Sequence, residues 1–94
     1  MLSFYFILDE QSNTTAAKQL KYAGGIEEEE FEMAQKAGLI ENQADYYGEF
    51  RWSGKQVLDK VNLLASCPFR ATTALNDILG QAKAAGLGLI AFGD

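Results

Sequence analysis

The chain contains no histidine, and that absence limits what its side chains can do. The commonest general base is missing, and with it the usual Ser-His-Asp and Cys-His arrangements and the commonest transition-metal ligand. A single cysteine, Cys67, cannot build a zinc site of the familiar kinds without histidine. Cys67 would be a nucleophile only with its thiolate stabilised, for instance at the start of a helix after Pro68 with Arg70 nearby. A free cysteine is more often a small buried apolar residue, and that is the preferred reading. Asp45, Glu49 and Asp59 offer carboxylate pairs of the sort used in sugar hydrolysis, yet no spacing singles one pair out. Gly86-Leu87-Gly88 precedes a strand where a nucleotide loop would open a helix. No catalytic residue, metal ligand or cofactor is therefore assigned.

Two groups of residues remain. The first is the run Glu27, Glu28, Glu29, Glu30, with Glu32 beyond it. A calcium loop needs carboxylates at alternate positions around a glycine turn, which this run lacks. On a helix the four glutamates fan around the axis, and the positive end of the helix dipole favours them in the first turns. Their structural reading is a solvated helix start; their functional reading is a surface for a basic protein. The second group is the aromatic stretch from Asp45 to Trp52. In a strand, alternation places Tyr46, Gly48, Phe50 and Trp52 on one face, which reads as core. Tyr47, Glu49 and Arg51 fall on the other as an exposed strip, and Tyr and Arg are favoured contact residues at interfaces. The partner-binding candidates are thus Glu27, Glu28, Glu29, Glu30, Phe31, Tyr47, Glu49 and Arg51.

The elements that must position these residues follow from periodicity and punctuation. Residues 2–8 read as a strand with apolar residues on both faces, which predicts a central position with cover on each side. Ala16, Leu20 and Ala23 suggest a short helix, capped by Ser12 or Asn13 and stopped by Gly24-Gly25. A helix over 26–37 has Ile26, Met33 and Ala37 on one stripe. Phe31 lies roughly 140° round from Ile26, packed on another element or exposed. Gly38 ends it, and Leu39-Ile40 return to the core. Residues 45–52 form the second strand. Ser53-Gly54-Lys55-Gln56 is a capping box, with Trp52 and Val57 placed for a hydrophobic staple. The helix that follows shows Val57, Leu58, Val61, Leu64 and Ala65 on a broad apolar face and ends near Ser66, ahead of Pro68. A further helix spans about 71–85 with Leu75, Ile78, Leu79 and Ala82 buried and Gly86 as its cap, and 87–92 is a terminal strand. The expected architecture is α+β (or small α/β). It has about three strands and three to four helices packed on the sheet, in the order β-α-α-β-α-α-β, within one domain over 1–94.

The segment Phe31 to Glu41, followed by Tyr46 to Trp52, resembles in outline the helix-then-wing part of winged-helix domains. The likeness covers about a fifth of the chain and rests on the common turn Ala37-Gly-Leu-Ile-Glu41. Its flanking acids depart from the basic face a DNA reader needs.

Composition bounds the partners. At 94 residues with 48% apolar content, the chain has the size and apolar richness of one small folding domain. One cysteine precludes an intrachain disulfide and fits a reducing compartment. The apolar run at 4–8 has no basic residue before it and is too short to span a bilayer, so the expected location is cytoplasmic, without membrane attachment. Residues 1–50 carry ten acids against three lysines, a charge of −7, while residues 51–94 carry +2. Nucleic acid is a poor ligand for such a surface, whereas a basic protein is a natural one. The leading expectation is a non-catalytic protein-binding domain, such as a small acidic inhibitor or immunity-type protein masking a basic site. The alternatives are a self-associating domain whose terminal strand pairs across a two-fold axis as a homodimer, and a small enzyme or ligand-binding domain using carboxylates and tyrosines alone.

Overall fold

A computed structural model describes residues 1–10, 20–66 and 73–93 of the chain. Its elements are β1 (Leu2–Ile7), β2 (Lys21–Ile26), α1 (Glu28–Lys36), β3 (Glu49–Trp52), α2 (Gly54–Ser66), α3 (Thr73–Ala85) and β4 (Gly88–Phe92). The four strands form one sheet in the order β2-β1-β4-β3, with every neighbouring pair antiparallel. The α+β class stands as expected, with four strands and three helices among the described residues.

The first correction concerns Lys21 to Ile26. The predicted helix ending at Gly24-Gly25 is replaced over this stretch by β2, while its earlier part lies outside the described residues. Pairing with β1 decides the matter: Leu2 sits opposite Ile26, Phe4 opposite Gly24 and Tyr5 opposite Tyr22, with a bulge between Phe4 and Tyr5. Gly24 faces Ile78 of α3. It has φ +146°, and a Cβ there would stand 2.9 Å from Ile78 Cγ1, so the glycine serves a close approach within a strand and not a helix stop.

β1 is central, as its two apolar faces predicted. Leu2, Phe4 and Phe6 enter a core with Leu89 and Ala91 of β4, Val57 of α2, and Leu75, Ile78, Leu79 and Ala82 of α3. Among the described residues, helices cover this face alone. On the opposite face Tyr5 meets Tyr22 at 5.4 Å and Phe92 at 5.8 Å between ring centroids, and Ile7 and Ile90 are buried. β4 lies between β1 and β3. The terminal strand therefore has no free edge with which to pair across a two-fold axis.

The helices follow their local signals. Ser53 N donates to Gln56 Oε1 at 2.8 Å, and Gln56 N donates to Ser53 Oγ at 3.2 Å, completing the predicted capping box. Trp52 and Val57 are both buried beside it, where a staple places them. The apolar face of α2 is narrower than expected, with Leu58 exposed. α1 starts two residues later than predicted because Ile26 belongs to β2. Its buried residues are Phe31 and Ala34, while Met33 is exposed. The helix ends at Gly38, with φ +82°. Gly38 N donates to Gln35 O and Leu39 N to Ala34 O, a Schellman ending that turns Leu39 and Ile40 into the core.

Residues 45–48, predicted as the start of a strand, form a turn in which Gly48 N donates to Asp45 O at 3.1 Å. β3 is correspondingly short and pairs with β4, not with a sequence neighbour in a hairpin. The outline likeness to a helix-and-wing segment is therefore not carried into the fold.

Candidate functional site

The turn at 45–48 organises the surface that the sequence singled out. Asp45 Oδ1 accepts a hydrogen bond from Tyr47 N at 2.9 Å, which directs the Tyr47 ring outward. Its hydroxyl then donates to Glu28 Oε2 at 2.9 Å. A residue of the aromatic stretch and a residue of the glutamate run, 19 positions apart, are thus brought into one acidic surface. The glutamate carboxylate beside the phenol raises the Tyr47 pKa, first through this hydrogen bond and then through its charge. Tyr47 accordingly presents a protonated hydroxyl and an exposed ring.

The other candidates divide. Glu27, Glu28 and Glu29 are exposed at the start of α1, where the helix dipole favours carboxylates. Glu30 is drawn inward: its Oε2 accepts from Leu75 N at 2.9 Å and so caps the first turn of α3. Phe31 is not a surface residue. It is 4% exposed and packs against Tyr46 at 5.5 Å and Phe50 at 6.5 Å, because α1 turns its 31/34 side toward the sheet. Glu49 is exposed. Arg51 reaches across the sheet to donate to Leu8 O at 2.7 Å and Asp9 O at 3.1 Å. The predicted strip of Tyr47, Glu49 and Arg51 is thereby split, since Tyr47 sits in the turn and leans toward α1.

β3 is an edge strand, and beside it opens a cleft of ≈470 Å³ whose lining includes Glu41, Asp45, Glu49, Phe50, Arg51 and Gln56. One end is fixed by a cluster that sequence reasoning missed. Lys60 is buried on α2, and its Nζ donates to Leu39 O at 2.7 Å and to Glu41 Oε2 at 2.8 Å. The ammonium also stands 4.4 Å from the centre of the Trp52 ring, a cation–π arrangement. Trp52 Nε1 donates to Glu41 Oε1 at 2.9 Å. Burial pushes the Glu41 pKa up, but hydrogen bonds from Lys60, Trp52 and the backbone, with the charge of Lys60, hold the carboxyl below its ordinary value. The available signal was the position of Lys60, one residue before Val61 on the apolar side of the helix. A lysine placed there needs a carboxylate partner.

Chemically the surface offers carboxylates, amide groups and a phenol donor. Glu41 is held as a hydrogen-bonded anion and is a poor proton donor. Asp45 and Glu49 share the cleft, while Asp59 lines a neighbouring hollow with Lys60. Among the described residues, no group of three or more Asp, Glu or Cys side chains is arranged to hold a metal ion, and no helix is long and apolar enough to cross a membrane. Cys67 and Arg70 lie outside the described residues. Comparison with known protein families, with curated proteins and with solved structures finds no match, so the functional reading rests on this geometry.

Proposed function

We propose that the chain is a non-catalytic protein-binding domain that docks a basic partner on the surface formed by the start of α1, the 45–48 turn and the cleft beside β3. An acidic inhibitor or immunity-type protein, which masks a basic site on its target, is the most concrete form of this reading. The observation that carries it is the Tyr47–Glu28 hydrogen bond at 2.9 Å. It joins the exposed glutamates of α1 to a turn whose flanking residues Asp45 and Glu49 line the cleft. Charge of one sign spread over a contiguous surface accelerates encounter with an oppositely charged protein and selects among partners. An exposed tyrosine at the centre supplies contact area at low entropic cost.

The test is affinity capture of the tagged chain from its native cell at low and moderate salt, with the bound proteins identified by mass spectrometry. The reading expects one stoichiometric basic partner whose yield falls with salt, and a Glu28→Lys/Glu29→Lys variant that folds normally and captures much less of it. A partner retained equally by the variant, or recovery of no partner, removes the reading.

A further inference from the structure

We draw no further inference here: the strongest candidate, the sheet face opposite the helices where the rings of Tyr5, Tyr22 and Phe92 meet, carries nothing, because nothing among the described residues shows what covers it.

Discussion

Among the described residues Lys60 is the buried charge, and its surroundings explain how the chain tolerates it. An ammonium removed from water needs hydrogen-bond acceptors and a counter-charge, and here Leu39 O and Glu41 supply them. The arrangement ties the loop after α1 to α2 and fixes one end of the cleft. Lys60→Ala should cost about 2 kcal/mol, because the Leu39 carbonyl and Glu41 lose their donor together. A double-mutant cycle of Lys60→Met with Glu41→Gln, followed by urea unfolding on Trp52 fluorescence, should give a coupling of roughly 1 kcal/mol. The modest size follows from the Glu41 side chain, which is 38% exposed, so water screens the pair. The sign of the pH dependence follows from the lowered pKa of Glu41. A carboxyl whose pKa is lower folded than unfolded stabilises the fold above its unfolded value, ~4.3, and loses that contribution as pH falls through the folded value. Stability measured from pH 6 down to pH 3 should therefore fall more steeply for the parent than for Glu41→Gln. Parallel curves would show that Glu41 is not a source of the acid sensitivity.

Among the elements, α2 was the most legible in the sequence because its signals are local. The side chains of Ser53 and Gln56 each accept the other's backbone N–H, and the cap needs no knowledge of the rest of the fold. Ser53→Ala should lower stability by about 1 kcal/mol in thermal or urea unfolding. Asp9 moderates the loss, since its Oδ1 also accepts from Gly54 N at 2.9 Å. That second cap comes from 45 residues away, and spacing within α2 could not reveal it. β2 was illegible for the opposite reason. Ala23, Gly24 and Gly25 have weak strand preference, and what makes them a strand is the partner β1 together with Ile78 pressing on Gly24. Gly24→Ala should consequently destabilise by about 1–3 kcal/mol, combining an unfavourable positive φ with a clash against α3. A loss below a few tenths would mean that α3 shifts to make room. The candidate surface was half legible on the same logic. Composition exposed the glutamate run, and alternation pointed to Tyr47. The cleft draws Glu41, Asp45, Glu49 and Gln56 from separate segments that only tertiary contacts join, and Phe31 looked available because its packing partners, Tyr46 and Phe50, are distant in sequence.

At the scale of the whole molecule, the charge of −7 in residues 1–50 against +2 in residues 51–94 acts on association more than on the fold. The exposed carboxylates Glu27, Glu28, Glu29, Asp45 and Glu49 stand on neighbouring structures that Tyr47 links, so their fields add over the approach path of a basic protein. Screening acts over ~10 Å at 0.1 M salt, and the effect belongs to the encounter more than to the final contacts. Glu28→Lys/Glu29→Lys should therefore slow association with the captured partner by roughly tenfold at low ionic strength and much less at high salt, leaving dissociation little changed. Its stability should fall by about 1–2 kcal/mol with the fold intact, since lysines replace two carboxylates at the positive end of α1 and Tyr47 loses its acceptor. Asp45→Asn/Glu49→Gln should slow association in the same way, since these carboxylates belong to the same surface. Stopped-flow association and surface-plasmon dissociation on the two variants separate steering from anchoring. A variant that instead dissociates faster, with an unchanged on-rate, would show that its carboxylates hold the bound complex and do not steer its formation.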